Sequence, residues 1–152
     1  MMYPDEMLRP MREELTRIGF RELRTPAEVD EVLDSKRGSV LVVVNSICGC
    51  AAGKARPGIA LALSHAVRPE TLVTVFAGQD VEATAAARRY FSEFPPSSPS
   101  VCLLVDGKPV YMLHRHQIEG RLPEQIAQDL TAAFDRFAAP AGARSATESP
   151  RP

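Results

Sequence analysis

Two cysteines separated by one glycine, Cys48-Gly49-Cys50, are the residues of this chain best suited to covalent chemistry. They follow the apolar run Val40–Val44, which predicts a buried strand, and precede Ala51–Ala66, which predicts a helix broken at Pro57-Gly58. The carboxyl end of a central strand is where an α/β domain exposes its reactive groups. The spacing therefore favours a redox couple or a metal site over two small buried hydrophobic residues.

Composition narrows the class of protein. The chain has 152 residues, of which 45% are hydrophobic and 24% charged, as expected for one globular domain. Its net charge of −1 gives no reason to expect a nucleic acid or an anionic membrane as partner. No apolar run approaches the ~20 residues of a membrane span, and Met1–Arg12 is too charged for a signal peptide. We therefore expect a cytoplasmic protein, where a close cysteine pair is typically catalytic, redox-active or metal-binding.

The elements that must position this pair can be read from periodicity and turn signals. Four further helices are predicted from periodicity, and the first and last are Met7–Ile18 and Leu122–Ala138. The second begins after Thr25, which caps it, with Glu28 completing a capping box. The third begins after a cap at Asp80 and ends at about Phe91. Strands are predicted at Val40–Asn45, Thr71–Ala77, Val101–Val105 and Val110–His114, the last two joined by a tight turn at Asp106-Gly107.

This order, two β–helix units followed by a hairpin and a closing helix, is the thioredoxin arrangement. We expect a thioredoxin-like three-layer α/β sandwich with a mixed central sheet and N-terminal helical additions. The domain should span residues 1–139. Residues 140–152 are rich in Ala, Gly, Ser and Pro and are expected to form a disordered tail.

A proline before the hairpin supports the same fold. In thioredoxin-like proteins this proline lies beside the redox cysteines, and the peptide bond before it is cis. The segment Ser98-Pro99-Ser100-Val101 is similar to that pattern. Because cis bonds occur in only about 5–6% of X–Pro pairs, a cis bond at Pro99 is a specific prediction.

The spacing of the thiols has chemical consequences. In fully extended chain the Cα atoms of residues two apart are separated by about 6.6–7.2 Å, whereas the Cα atoms of a disulfide lie roughly 4.4–6.8 Å apart. A bridge between Cys48 and Cys50 therefore requires a bend at Gly49. The small ring should be strained when oxidised and easy to reduce. The following helix, with Lys54 and Arg56, should favour a thiolate at Cys48. These features predict an exchange catalyst more than a strong reductant.

The chain resembles the bacilliredoxin family, whose members have a thioredoxin fold with a Cys-Gly-Cys motif. The resemblance extends from Tyr3-Pro4 to about Ala138. It is carried by five segments in order: Met11–Thr16, Asn45–Ala51, Phe76–Asp80, Phe94–Ser100 and Arg115–Arg121. One departure is His114, where the sequences it resembles usually have an acidic residue.

The resemblance implies removal of bacillithiol from proteins that carry it as a mixed disulfide. Cys48 would attack and take up the bacillithiol, and Cys50 or a second bacillithiol would resolve the adduct. Gly49 and Pro99 would support them. Bacillithiol would act as co-substrate, with no bound cofactor and no metal, and a bacillithiol disulfide reductase would be a partner. As our own inference, its malate carboxylates suit a basic neighbour, and the candidates are Lys54, Arg56 and Arg115.

Two alternatives remain open. His114 and His116 fall on one face of a strand and, with Cys48 and Cys50, could complete a four-ligand zinc set in a metal-binding or metal-delivery protein. A general protein disulfide isomerase or oxidoreductase would share the redox chemistry but not the substrate. Cys102 lies inside an apolar strand run, where cysteine packs like alanine or valine.

Overall fold

The computed structural model describes residues 2–34 and 36–139. The predicted tail, residues 140–152, lies outside the described residues. Within them the chain forms five strands and five α-helices, extended in places by short 3₁₀ and π turns.

A mixed five-stranded sheet forms the centre of the domain. The strands are β1 (Arg21–Glu22), β2 (Ser39–Asn45), β3 (Thr71–Phe76), β4 (Ser100–Val105) and β5 (Lys108–Leu113), arranged in the order β1-β3-β2-β4-β5. The first three run parallel, β4 is antiparallel to β2, and β5 is antiparallel to β4. The predicted thioredoxin-like α/β sheet is thereby confirmed.

Helices cover both faces of this sheet. They are α1 (Asp5–Thr16), α2 (Pro26–Leu33), α3 (Arg56–Ala62), α4 (Val81–Arg88) and α5 (Pro123–Ala133). On one face α3 and α5 enclose a core with Leu41 and Val43 of β2, and on the other α2 and α4 pack over Val42 and Val44. The consecutive apolar residues of β2 are explained by this burial on both faces.

The hairpin that follows β4 forms as its turn residues require. Asp106 and Gly107 both have positive φ, 50° and 82°, which is the conformation of a two-residue type I′ turn. The Ser98–Pro99 peptide bond is cis, as predicted from the segment around it. Because Ser100 pairs with Val44, this proline loop lies at the same sheet edge as the chain leaving β2.

Three details differ from the sequence prediction. The two-residue edge strand β1 was not predicted. The helix after the cysteines is not broken at Pro57-Gly58, which instead lie in the first turn of α3; the irregular part is a π turn just before it, at Ala51–Ala55. Proline has no N–H to continue the i→i−4 pattern, and the Arg56 N–H bonds to the Ala51 carbonyl, five residues back.

The third difference concerns Asp80. It precedes α4, but its side chain does not cap the helix. Its carboxylate instead accepts a hydrogen bond from the Arg12 guanidinium of α1 at 2.7 Å, and Glu22 of β1 binds the same guanidinium. This buried charge cluster attaches α1 to the edge of the sheet.

In the part of the chain that the structure describes, every helix is too short or too polar to cross a membrane.

Candidate redox site at Cys48 and Cys50

The two cysteines lie in a tight turn between β2 and the helix that follows it. Both side chains are half-buried, and their sulfur atoms are 2.7 Å apart and unbridged. Gly49 and Cys50 already have helical conformation, and the Cys48 carbonyl accepts the N–H groups of Ala51 and Ala52. The predicted position at a strand-to-helix junction is therefore found, with neither thiol sealed in the core.

The surroundings make the two thiols unequal. Partial burial acts to raise the pKa of Cys48, but hydrogen bonds from Cys50, from the Ser46 side chain and from backbone N–H groups outweigh it, so this pKa is lowered. Burial raises the pKa of Cys50 to about 11, and the neighbouring Cys48 adds to the rise. Cys48 is therefore the thiol that is readily ionised. Hydrogen bonds, rather than charge on Lys54 or Arg56, produce the lowering.

Gly49 is exposed and takes an ordinary helical conformation. A Cβ placed there would meet nothing within 4 Å. The unbridged form therefore does not require glycine at this position. A requirement for glycine would arise only when Cys48 and Cys50 form a disulfide.

Arg115 links the cis-proline loop to the two thiols. Pro99 is buried, and the carbonyl of the preceding Ser98 accepts a hydrogen bond from Arg115 Nη1 at 3.1 Å. The Arg115 N–H also binds the Ser97 hydroxyl at 3.2 Å, and its guanidinium pairs with Glu119 at 3.2 Å. The Arg115 side chain remains 42% exposed, and its charge acts to lower the pKa of Cys50.

The three cations proposed from the sequence occupy different environments. Arg115 is exposed beside the thiols, and Lys54 is half-buried in the π turn after them. Arg56 is only 3% exposed and donates to Glu14, Asn45 and the Ser46 carbonyl. Because it is buried and its donors are occupied, the Arg56 guanidinium has a structural role and is not available to a substrate carboxylate.

The prediction that His114 and His116 share a strand face is wrong, because β5 ends at Leu113 and His116 lies in the 3₁₀ turn Arg115–Gln117. The rings of His114 and His116 stack with centroids 5.3 Å apart, and Phe94 packs edge-on against His114. Burial, followed by the neighbouring His116, lowers the pKa of His114. Cys102 is 1% exposed inside β4, where burial raises its pKa strongly. Across residues 2–34 and 36–139, no three His, Cys, Asp or Glu side chains are grouped closely enough to hold a metal ion.

Several residues that build the site have no role predicted from the sequence. Ser46 binds the Cys48 N–H at 3.2 Å, and Asn45 binds the Ser46 N–H at 2.9 Å. The available signal was position, because a serine two residues before a cysteine is placed to form this type of local turn. The roles of Glu14 and Glu119 depend on contacts between distant segments, which no local pattern reveals.

Comparison with known proteins identifies the family. A bacilliredoxin of Koribacter versatilis is 56% identical over 145 residues, covering 95% of this chain and 100% of the relative. A bacilliredoxin of Symbiobacterium thermophilum is 56% identical over 133 residues, covering 88% of this chain and 93% of the relative. The chain belongs to the bacilliredoxin family. The family model that matches residues 3–138 is described as disulphide isomerase.

The fold comparison agrees with the family. A mutant thioredoxin from Halobacterium salinarum superimposes with a TM-score of 0.52 at 16% identity, covering 79% of this chain and 91% of the other. At this identity the match concerns the fold alone. A bacilliredoxin-family chain with a thioredoxin fold and two adjacent thiols has a thiol–disulfide redox role, and its activity is that of an oxidoreductase.

Proposed function

We propose that this protein removes bacillithiol from proteins that carry it as a mixed disulfide, with Cys48 attacking and Cys50 resolving. The observation that carries the proposal is the contact between two thiols whose pKa values are displaced in opposite directions. Such a pair supports Cys48 as the attacking thiol, because the thiolate is the nucleophile in disulfide exchange. The substrate itself is inferred from the family to which the chain belongs.

In the first step the Cys48 thiolate attacks the bacillithiol sulfur of the mixed disulfide. A Cys48–bacillithiol S–S bond forms as the S–S bond to the client protein breaks. The client cysteine leaves as a thiolate and takes up a proton, so the client is reduced and Cys48 is oxidised. Cys48 is half-buried and the neighbouring Ile47 is exposed, so the turn that carries this sulfur lies at the protein surface.

In the second step Cys50 attacks the Cys48 sulfur, so a Cys48–Cys50 S–S bond forms as the bond to bacillithiol breaks, and bacillithiol leaves as a thiolate that takes up a proton. The internal bridge is then reduced by an external thiol, which is itself oxidised, before the next turnover. Burial is the main cause that raises the pKa of Cys50 to about 11, and the hydrogen bond and the charge of Cys48 add to the rise. Both disappear once Cys48 is bound in a disulfide, while the lowering by Arg115 persists. Formation of the adduct would thus activate the resolving thiol.

A second bacillithiol can instead attack the adduct and leave as bacillithiol disulfide. That product requires a bacillithiol disulfide reductase as a partner in the cytoplasm. Bacillithiol is then a co-substrate that enters and leaves, and the protein itself needs no bound cofactor for either route.

The malate carboxylates of bacillithiol would bind Arg115, with Lys54 as a second cation. Arg115 is held against the cis-proline loop by Ser97 and Ser98, so its charge has a fixed position beside the thiols. Its exposed pairing with Glu119 is weak enough for a substrate carboxylate to replace.

The decisive experiment follows release of bacillithiol from a bacillithiolated client protein. Wild type should release it much faster than Cys48→Ser, and equal release by the two would overturn the proposal. The same client carrying glutathione is the comparison for substrate class. Equal rates on the two adducts would point to a general disulfide oxidoreductase.

Mass spectrometry after exposure to bacillithiol disulfide separates the roles of the two cysteines. The adduct should appear on Cys48 and give way to an internal bridge, whereas in Cys50→Ser it should persist. An adduct that forms first on Cys50 would contradict the assignment.

A further inference from the structure

We infer that Ser46 is a positioning residue for the Cys48 sulfur, held in place by a buried arm consisting of Asn45, Arg56 and Glu14. The inference deepens the proposed function, since it rests on Cys48 as the attacking thiol. It assigns to the N-terminal helix α1, which carries Glu14, a part in arranging the redox site.

The Ser46 hydroxyl binds the Cys48 backbone and also affects its thiol. It accepts the Cys48 N–H at 3.2 Å, and hydrogen bonding by this side chain is one of the causes that lower the pKa of Cys48. A hydroxyl has one proton to donate and two lone pairs, so accepting the N–H leaves its proton free for the sulfur. Ser46 is 7% exposed, so water competes little for the hydroxyl. Its hydroxyl is therefore held against the Cys48 backbone, in the turn that carries the sulfur.

The backbone of Ser46 is fixed by the arm at both of its polar groups. Its N–H donates to Asn45 Oδ1 at 2.9 Å, and its carbonyl accepts from Arg56 Nη1 at 3.0 Å. The same Arg56 nitrogen also donates to Asn45 Oδ1 at 2.9 Å, which closes the arrangement. Ser46 therefore has little freedom to turn its hydroxyl away from Cys48.

Charge balance and helix α1 complete the arm. Arg56 is 3% exposed, and a buried cation is stable only when it is paired. Its Nε donates to Glu14 at 2.8 Å, and Asn45 Nδ2 donates to the Met11 carbonyl at 3.2 Å. Both acceptors belong to α1, so the helix is attached to the turn that carries the thiol.

The test measures the ionisation of Cys48 by thiolate absorbance in a Cys50→Ala background. Cys102 does not contribute to the titration, because burial raises its pKa strongly. The substitutions tested leave the charged residues Arg115, Glu119 and Lys54 in place. Ser46→Ala should raise the pKa of Cys48 and slow its alkylation at pH 7 by about two- to tenfold, because the thiolate fraction falls. Ser46→Thr, which keeps the hydroxyl, should restore both.

A matched control exists at the other end of β2. Ser39 is 4% exposed and accepts the Glu70 N–H through its hydroxyl at 2.9 Å, far along the strand from the thiols. Ser39→Ala should lose stability much as Ser46→Ala does, yet leave Cys48 titration unchanged. If the two variants titrate alike, Ser46 is structural only and the inference is wrong.

The arm is tested by combining substitutions. Arg56→Met should slow Cys48 alkylation in the same direction as Ser46→Ala, and the double variant should be no slower than the slower single, because both act through one hydroxyl. Additive losses would overturn the role of the arm. If Arg56→Met does not fold, Glu14→Gln serves instead, since that side chain is 45% exposed. The probe is iodoacetamide, so failure of the bacillithiol assignment would leave these results intact.

Discussion

The sulfur atoms of Cys48 and Cys50 are 2.7 Å apart, and each changes the acidity of the other. Cys50 donates a hydrogen bond that lowers the pKa of Cys48, and the same contact adds to the rise in the pKa of Cys50. Only one of the two is therefore readily ionised at a time. In the proposed mechanism this coupling makes Cys48 the first thiol to react and Cys50 the second.

The coupling predicts a pH profile for Cys48 alkylation. Its rate should fall as pH decreases through the Cys48 pKa, and because that pKa is lowered, the fall should occur at lower pH than for a free cysteine. Cys50→Ala removes one of the lowering hydrogen bonds and should shift the profile to higher pH. Cys50→Ser keeps an O–H donor and should shift it less. Identical profiles for the two variants would contradict the coupling.

Arg115 should contribute to substrate binding more than to chemistry. We expect Arg115→Gln to raise KM for a bacillithiolated client by about twofold to fivefold, since an exposed charge pair contributes only modestly to binding. The measurement belongs in a Cys50→Ser background, where the effect of Arg115 on the resolving thiol is absent. Arg17→Gln is the control, because Arg17 forms a similar exposed i,i+4 pair with Glu13. A loss confined to kcat would argue against a carboxylate subsite.

Gly49 should matter for bridging rather than for folding. Its Cβ position is empty and its conformation helical, so Gly49→Ala should leave the reduced protein as stable as wild type or more stable by up to about 1 kcal/mol. The bend required to join two thiols two residues apart is less accessible to alanine. The variant should therefore accumulate the Cys48 adduct, as seen by mass spectrometry. A normal rate of bridge formation would refute this role.

The features that sequence predicted well are those set by local chemistry. The Asp106-Gly107 turn depends on two residues that tolerate positive φ, and β2 depends on an apolar run long enough for burial on both faces. The cysteine pair was found because its spacing is conspicuous. A thiolate at Cys48 was also predicted, and its pKa is lowered, but by hydrogen bonds rather than by Lys54 or Arg56. The raised pKa of Cys50 was not predicted, because burial and the Cys48 contact are set by the fold.

The features that sequence missed depend on distant partners. Arg56 follows the cysteines closely and was interpreted as a substrate cation, yet Glu14, 42 residues earlier, draws it into the interior. Asp80 has the position of a helix cap, yet Arg12 binds its carboxylate from 68 residues away. In both cases a buried charge pair overrides the local preference.

Asp80→Asn distinguishes these two roles of Asp80. Asparagine caps helices about as well as aspartate, so a capping residue would tolerate the change. In the charge cluster, loss of one carboxylate leaves the buried Arg12 paired only with Glu22, and we expect a destabilisation of about 2–3 kcal/mol. Urea unfolding measures the difference. A loss below about 0.5 kcal/mol would mean that the cluster does not stabilise the fold.

Gly58 should tolerate no side chain, because α3 approaches α5 at this residue. An added Cβ would lie 2.7 Å from Ile126 Cγ2 and 3.1 Å from the Pro123 carbonyl oxygen, which is backbone and cannot move aside. We expect Gly58→Ala to destabilise by about 1–3 kcal/mol through overpacking. Gly53→Ala, in the preceding π turn, meets nothing within 4 Å and should be neutral or slightly stabilising. Equal unfolding midpoints for the two variants would show that α3 and α5 can separate without cost. A lower midpoint in Gly58→Ala alone would show that α3, and with it Arg56, is fixed by close contact with α5.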